Sequence, residues 1–364
     1  MRTLLAGLLG VVGLFGAAAA SRADWSLSPI PVLLPFSTSA DGKVVVGGHQ
    51  PENGSHMRAV RWENGRAGHL GISGISESFA YGVSADGSVV VGLSANTPSN
   101  EGAFRWENDT LTSLGTLGGD ESLAVDVSAD GSVVAGFSGT AAGNTRPFRW
   151  ENGVMTDLGT LGGPEGLGVA VSNDGAVVVG YCLNTSSIME AFRWEAGTMV
   201  GLGALGGLGS QALDVSADGS VIVGSAETSA GNSEAFRWQN DVMVGLGMPE
   251  GTQSEAWGVS ADGSVVVGWM GELGGEQSVF VWDAAHGSRL LRDVLADHGV
   301  DMTLWSLNAT YAVSDDGTTI AGTGSYRGEP SGWIATIPEP STLVLATAAA
   351  LALALYGWRN RRGR

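Results

Sequence analysis

The sequence predicts an all-β fold, a seven-bladed β-propeller of four-stranded blades, each built from a repeat of about 44 residues. One phrase, "VSADGSVVVG" at 83–92, returns letter for letter at 259–268 and in close copies elsewhere. A second phrase, "AFRWEN", returns with the same spacing, and each phrase marks seven units. The alternative architecture is an open β-solenoid, which needs capping units at its ends.

The first phrase predicts a tight hairpin in every unit. Its aspartate is followed by glycine and lies between apolar runs, a pattern typical of a two-strand turn. A calcium site is the alternative, but it needs six to eight converging oxygens, and one carboxylate per unit does not supply them. Successive aspartates are 45, 44, 44, 44, 44 and 54 residues apart. They are Asp41, Asp86, Asp130, Asp174, Asp218, Asp262 and Asp316.

The second phrase places a tryptophan in every unit. Strand alternation puts this tryptophan and the phenylalanine two residues before it on one face, and arginine on the other. We expect the tryptophans to fill the wedge between blades, with a ring of sugar-stacking platforms as the alternative. The arginines are expected to pair with blade carboxylates such as Asp126 or Asp214. The tryptophans are Trp62, Trp106, Trp150, Trp194, Trp238, Trp282 and Trp333.

Four short β-type runs make up each unit. In the fourth unit they are "VMTDLG" (154–159), "GVAVS" (168–172), "AVVVGY" (176–181) and "EAFRWE" (190–195). Valine and aromatic enrichment, without a 3.6-residue period, predicts strands.

The ends of the repeat region predict ring closure. The last unit lacks its "MxxLG" strand after Trp333, and "WSLSPIPVLLPF" before Asp41 has no unit of its own. An N-terminal strand that completes the last blade would remove exposed sheet edges. The irregular segment 283–313 contains "RLLRDVLADHG", which predicts a short helix ended by Gly299 and acting as a plug or spacer.

Both ends of the chain are predicted to be targeting segments. Residues 1–23 have the basic start, apolar stretch and small-residue cleavage region of a signal peptide. An apolar run, 343–358, is barely long enough to cross a bilayer, and an arginine cluster follows it. The predicted organisation is therefore a signal peptide (1–23), a propeller body (24–337) and a C-terminal sorting segment with a transmembrane helix (338–364).

Two resemblances follow from these motifs. Pro338, Glu339 and Pro340, the apolar run and the terminal Arg359, Arg361 and Arg362 together resemble the PEP-CTERM sorting signal. That resemblance implies an exosortase-type processing enzyme as a partner, a transient membrane anchor, and delivery to the cell surface or the extracellular biofilm matrix. The repeat body is similar to the HAF family of extracellular repeats in its "FRWENG…LGTLGG…VS.DG..VVG" pattern, and that family implies no reaction.

Charge and composition exclude some classes of partner. The chain has 18 basic and 37 acidic residues, and its formal charge is −19. Without the two end segments, residues 24–337 keep 12 basic and 36 acidic residues. Because such a surface repels polyphosphate, nucleic acid is not expected as a partner. The lone Cys182 cannot form a disulfide within the chain, and the five histidines lack metal-ligand spacing.

The sequence favours a non-catalytic binding or structural module without a cofactor or metal, with polysaccharide or another surface protein as partner. No unit gains a catalytic set of side chains. The longer variable loops and the "LGTLGG" loops are expected at one end of the ring, where a ligand would bind. The alternative is a secreted lyase or glycosidase that acts on polysaccharide through carboxylates in the central channel. Non-repeated Asp, Glu, Tyr or His in that channel would favour it.

Overall fold

The computed structural model describes residues 25–31, 34–51, 56–70, 77–95, 101–247, 252–272 and 275–338. It confirms the all-β propeller of seven four-stranded blades. The predicted signal peptide (1–23) and the predicted transmembrane run (343–358) lie outside the described residues. In the part of the chain that is described, no helix has the length and apolarity needed to span a membrane.

The described secondary structure consists of 28 strands and one short helix. In chain order they are β1 (Ser26–Ile30), β2 (Leu34–Thr38), β3 (Val44–His49), β4 (Arg58–Glu63), β5 (Arg66–His69), β6 (Glu77–Val83), β7 (Val89–Ala95), β8 (Glu101–Glu107), β9 (Thr110–Ser113), β10 (Gly118–Val127), β11 (Val133–Thr140), β12 (Thr145–Glu151), β13 (Val154–Asp157), β14 (Gly162–Val171), β15 (Val177–Asn184), β16 (Met189–Glu195), β17 (Thr198–Gly201), β18 (Gly206–Val215), β19 (Val221–Thr228), β20 (Ser233–Gln239), β21 (Val242–Gly245), β22 (Thr252–Val259), β23 (Val265–Glu272), β24 (Gln277–Asp283), β25 (Gly287–Leu290), α1 (Leu291–Asp297), β26 (Trp305–Val313), β27 (Thr319–Tyr326) and β28 (Glu329–Thr336).

Each blade is an antiparallel meander. Blades 1 to 6 take four consecutive strands each, β2–β5, β6–β9, β10–β13, β14–β17, β18–β21 and β22–β25. Blade 7 has the order β1-β28-β27-β26, so the N-terminal strand supplies its outermost member. Ser26 pairs with Thr336 and Ile30 with Gly332 in that contact. The predicted closure is therefore confirmed, and the open solenoid is wrong.

The meander gives the ring two different ends. The turns between first and second strands, which hold the repeated aspartates, and those between third and fourth strands share the end that we call the turn end. Connections between second and third strands and those between blades share the opposite end, the loop end. Arg146, in the third strand of blade 3, reaches the hydroxyl of Thr160 in the blade-to-blade connection at 3.0 Å. The variable loops and the "LGTLGG" connections thus lie together, as the sequence predicts.

The hydrophobic core is distributed around the ring. Among the described residues, seven apolar clusters form, one between each pair of neighbouring blades. Between blades 4 and 5, for example, Val177 and Val179 pack with Ile222 and Phe236. Each blade buries its apolar face against the next one rather than within itself, so closure of the ring contributes directly to stability.

The helix in the irregular segment is confirmed and acts as a spacer. Helix α1 buries Leu291, Val294 and Leu295 in the cluster between blades 6 and 7. Gly299 follows at φ +86°, a left-handed conformation that suits glycine after a helix end.

The structure changes two predictions about the strands: which blade one of them belongs to, and where another begins. "VMTDLG" (154–159) is the outermost strand of blade 3 and not part of blade 4, because the "AFRWEN" strand pairs with the strand that follows it. The glycine pair that ends "LGTLGG" is also not simply loop, since β14 begins at Gly162.

Candidate functional site

The repeated aspartates stabilise the hairpin turns in which they lie. In blade 3, the Ser128 hydroxyl donates to Oδ1 of Asp130 at 2.8 Å and accepts the N–H of Val133 at 3.0 Å. Hydrogen bonds from the hydroxyl and then the backbone of Ser132 lower the pKa of Asp130. Gly131 has φ +73°, which a residue with a side chain rarely adopts. These carboxylates are used by their own turns.

The turns also contact each other around the axis of the ring. The residue before each repeated aspartate donates its N–H to the carbonyl of the corresponding residue in the next blade, at 3.0–3.1 Å. Six such bonds run in order through Ala40, Ala85, Ala129, Asn173, Ala217, Ala261 and Asp315. Only Asn173 and Asp315 break the run of alanines, and Nδ2 of Asn173 donates to Oδ2 of Asp315 at 2.9 Å. Since these two residues belong to blades 4 and 7, their bond closes the turn end of the channel.

Four of the repeated arginines pair with blade carboxylates, as predicted, but their partners are glutamates of their own strands, so Asp126 and Asp214 were the wrong partners. Arg149, for example, donates from Nη1 to Glu151 at 2.7 Å and from Nε to the Gly175 carbonyl of the next blade at 2.9 Å. Residues i and i+2 of a strand share a face, so the glutamate of "FRWEN" lies directly within reach. The arginine therefore links a strand of one blade to the turn of the next.

The repeated tryptophans are placed between blades. Trp106 packs on the cluster of blades 1 and 2, and Phe104 beside it is fully buried. Trp333 is also fully buried, whereas the other six tryptophans keep part of their surface exposed. A groove beside Trp106, lined also by Arg61, Glu63 and His69, has a volume of about 590 Å³. Cys182 is buried, and burial raises the pKa of its thiol.

The residues that differ most between blades meet in the central channel. The first strands of the seven blades contact one another in sequence around the axis, so they line the channel. Each of these strands has one residue five positions before its repeated aspartate, at the same level of the channel wall. In blade order these side chains are Phe36, Tyr81, Val125, Val169, Leu213, Trp257 and Tyr311.

Four of these side chains make a continuous aromatic wall, which we call the aromatic arc (Phe36, Tyr81, Trp257 and Tyr311). The ring of Phe36 lies 4.9 Å from that of Tyr81 and 5.7 Å from that of Tyr311. Trp257 meets Tyr311 at 5.4 Å, nearly perpendicular at 85°. All four keep part of their surface exposed, and they come from the consecutive blades 6, 7, 1 and 2.

A carboxylate, Glu255, lies on the loop side of the arc. Its Oε2 accepts the indole N–H of Trp257 at 3.1 Å and that of Trp269 at 3.3 Å. Burial raises the pKa of Glu255 in spite of these two bonds. Burial, and then the negative charge of Glu255, raise the pKa of the Tyr181 hydroxyl. Tyr181 belongs to blade 4 and Glu255 to blade 6, so this charge acts across the ring between blades that are not neighbours.

Two further carboxylates, Asp126 and Asp214, lie toward the turn end on the side of the channel that faces the arc. Asp126 accepts the N–H of Val127 at 2.8 Å and, from the next blade, that of Val171 at 2.9 Å. Asp214 makes the same pair of bonds with Val215 and Val259, both at 2.8 Å. Each carboxylate thus fastens one blade to the next.

The pKa values of these two carboxyl groups are raised above the ordinary value of aspartate. Burial raises the pKa of Asp126 to about 6, and the backbone hydrogen bonds oppose this only in part. Burial, and then the charge of Asp126, raise the pKa of Asp214 to about 8. Protein surrounds both groups, although the channel leaves each of them some exposed surface. Within the described ranges, no three His, Cys, Asp or Glu side chains are arranged as a metal site.

The predicted sorting residues lie mostly beyond the described chain. Pro338 is the last described residue and directly follows the end of blade 7. Glu339, Pro340, Arg359, Arg361 and Arg362 lie outside it. The sequence prediction named Asp126 and Asp214 but not the arc or Glu255, because it weighed departures from the repeat only as catalytic sets of side chains. The departures from the repeat were the signal that could have found them.

No protein-family model and no curated protein matches this chain. Solved structures of other β-propellers do. The oligogalacturonate lyase of Vibrio parahaemolyticus aligns with a TM-score of 0.54 at 12% identity, over 87% of this chain and 92% of the lyase. The β-propeller domain of the trilobed protease from Pyrococcus furiosus aligns with a TM-score of 0.54 at 11% identity, over 86% of this chain and 94% of that domain.

A puromycin-hydrolysing peptidase of Mycobacterium tuberculosis gives a TM-score of 0.57 at 16% identity, over 88% of this chain but 54% of the peptidase. At these identities the likenesses establish a shared fold and not a shared activity. The chain is thus a seven-bladed β-propeller, similar in fold to propellers of several different activities.

Proposed function

We propose that this chain is an exported, non-catalytic binding module of the cell surface or extracellular matrix, with its ligand site in the central channel. The observation that carries the proposal is the aromatic arc with Glu255. These residues depart from an otherwise regular repeat, meet in one place and keep exposed surface. Aromatic faces beside a few placed polar groups are typical of ligand sites in proteins.

The bonding of the channel carboxylates supports binding rather than turnover. Asp126 and Asp214 each accept two backbone N–H groups that join neighbouring blades. A general acid or base must instead reach the reacting group of a substrate. Groups committed to blade contacts in this way serve the architecture.

A glycan array probed with the purified full chain tests this function. We expect a restricted set of glycans to bind, and Trp257→Leu to abolish binding while the unfolding curve stays cooperative. Retention of every bound glycan by the Trp257→Leu protein would place the ligand elsewhere and contradict the proposal.

Export and sorting form a separate part of the proposal. The motifs at both ends support secretion followed by exosortase-type processing near Pro338. Mass spectrometry of the surface-exposed protein should find a chain that lacks the signal peptide and ends before the apolar run 343–358. A surface protein with an intact C-terminus would instead be a permanently anchored one.

An enzyme is the second candidate, because the channel does collect non-repeated Asp, Glu and Tyr. The raised pKa of Asp214, about 8, is what a general acid acting near neutral pH requires. Incubation with a panel of polysaccharides, followed by assays for new reducing ends and for unsaturated products, tests it. Turnover that is lost in Asp214→Asn would favour the enzyme over the binding module.

A further inference from the structure

The aromatic arc presents surfaces suited to a ring-shaped or cationic group. Its planes differ by 31° between Phe36 and Tyr81 and by 85° between Trp257 and Tyr311, and all four side chains keep exposed surface. Aromatic faces carry negative electrostatic potential and attract a cation held within about 6 Å. They also stack on the apolar face of a sugar ring.

Glu255 offers an acceptor beside the arc. Its Oε2 holds both indole N–H groups, of Trp257 and Trp269, whereas Oε1 accepts no hydrogen bond from any described residue. Two indoles fix the position of the carboxylate, so Oε1 is oriented before a ligand arrives. An oxygen of this kind accepts strongly from a charged N–H donor.

The surrounding charge disfavours an anionic ligand. Glu255 and Asp315 line the channel, and neither takes part in an ion pair with a described residue. Asp214, whose pKa is raised to about 8, is protonated near pH 6, and Asp126, with a pKa of about 6, is ionised only in part. Residues 24–337 as a whole carry 36 acidic against 12 basic residues. A carboxylated or sulfated glycan would be repelled, and a cationic one attracted.

We propose that the central channel binds a glycan with a free, protonated amine, an amino-sugar unit, whose ring packs on the aromatic arc and whose ammonium group donates to Oε1 of Glu255. This inference rests on the proposed function and gives its ligand a chemical class. A neutral glycan has no ammonium group to donate to Glu255, and a simple inorganic cation has no ring that can pack on the aromatic arc.

Two oligosaccharides that differ only in charge test the inference. We would titrate the full chain with glucosamine hexasaccharide and with N-acetylglucosamine hexasaccharide at about pH 6, where the free amines are protonated. Calorimetry gives the affinity, and tryptophan fluorescence reports on Trp257 and Trp269. The glucosamine oligomer should bind at least about tenfold more tightly than its acetylated counterpart.

A pair of glutamate variants separates the site from the general acidity of the protein. Glu255→Gln removes the channel charge and keeps an oxygen for the indoles, whereas Glu151→Gln removes one charge from the exterior, where Glu151 pairs with Arg149. We expect Glu255→Gln to weaken glucosamine binding about tenfold and Glu151→Gln to change it by less than about twofold. Unfolding curves of both variants check that each protein is folded.

Each result decides between the proposals. Equal binding of both oligomers, lost in Trp257→Leu, would overturn the amine assignment and leave the channel as a glycan site. Equal weakening by Glu255→Gln and Glu151→Gln would mean attraction to bulk charge and would overturn it as well. Failure of the glucosamine oligomer to bind overturns it too, and the glycan array then decides the proposed function independently.

Discussion

Asn173 and Asp315 are 142 residues apart in the chain, yet the side-chain amide of one donates to the carboxylate of the other at 2.9 Å across the channel. Five other blades have alanine at this position of the turn. In blades 4 and 7, therefore, a hydrogen-bonded pair of polar residues stands in place of the repeated alanine, and the bond links these two blades. It lies at the turn end of the channel, beyond the arc, whose four residues each stand two residues before the turn-end terminus of their strand.

Restoring alanine at these positions tests the coupling. Asn173→Ala should lower the free energy of unfolding by about 1.5 kcal/mol, because it leaves a half-buried carboxylate without its donor. Asp315→Ala should cost less, since it also removes a negative charge that faces Asp126 and Asp214. In denaturant titrations, the double variant should fall short of the summed single effects by about 1 kcal/mol. Additive effects would mean that the two side chains do not interact.

The channel carboxyls predict that stability falls as pH rises from about 4 to about 8. The pKa of Asp126 is raised from 3.8 to about 6 and that of Asp214 to about 8, so in this window the folded protein holds protons that the unfolded chain has released. The groups that face this pair are each other and Asp315, and the backbone N–H groups of Val171 and Val259 reduce the shifts. Each carboxyl can contribute a slope of at most about 1.4 kcal/mol per pH unit.

Asp214→Asn is the matched variant for this pH dependence. It cannot ionise, so its unfolding free energy should fall less steeply between pH 6 and pH 8, and the wild-type advantage should shrink as pH rises (both pH values are approximate limits of the window). Urea titrations at several pH values measure this. Parallel curves for the two proteins would show that Asp214 is ionised throughout.

Glycine in the second strand is required by close packing within the blade. A Cβ on Gly180 would overlap the carbonyl oxygen of Leu167 on the neighbouring strand. Gly180→Ala should therefore destabilise the protein by about 3 kcal/mol, measured by thermal or chemical unfolding.

Gly153 is the control for this substitution. It has φ +82°, but no atom lies within 4 Å of the position that a Cβ would take, so Gly153→Ala should cost only about 1 kcal/mol of backbone strain. A Gly180→Ala protein as stable as Gly153→Ala would refute the close strand contact.

The arginine link between blades depends on geometry as well as charge. Arg149→Lys keeps the charge but cannot donate to Gly175 and Glu151 together, so we expect a loss of about 1 kcal/mol in unfolding free energy. Glu151→Gln should cost less than about 0.5 kcal/mol, because the Glu151 side chain is 43% exposed. An Arg149→Lys protein equal to the wild type would show that only the charge matters.

The sequence predicts the architecture well because the same pattern of strands and turns occurs seven times, so an ambiguous assignment in one repeat is resolved by the others. Seven copies of Asp-Gly and of tryptophan specify seven blades, and the missing strand after Trp333 specifies closure by β1. The partner of Arg149 was also predictable in principle, since Glu151 shares its strand face. The cost of an unpaired buried charge instead favoured Asp126 and Asp214 as partners of the arginines.

The candidate site could not be predicted in the same way. Phe36, Tyr81, Trp257 and Tyr311 are up to 275 residues apart in the printed sequence, and closure of the ring brings Phe36 of blade 1 against Tyr311 of blade 7. Glu255 becomes distinctive only when the indoles of Trp257 and Trp269 are seen on the same oxygen. These contacts depend on which blades adjoin, and single-repeat patterns do not contain that information.

The most direct test of the binding account is a crystal structure of the protein with glucosamine hexasaccharide. We predict a sugar ring against Trp257 and Tyr311, with its amine within hydrogen-bond distance of Oε1 of Glu255. An oligosaccharide bound instead in the outer groove beside Trp106, with the channel free of sugar, would contradict the account.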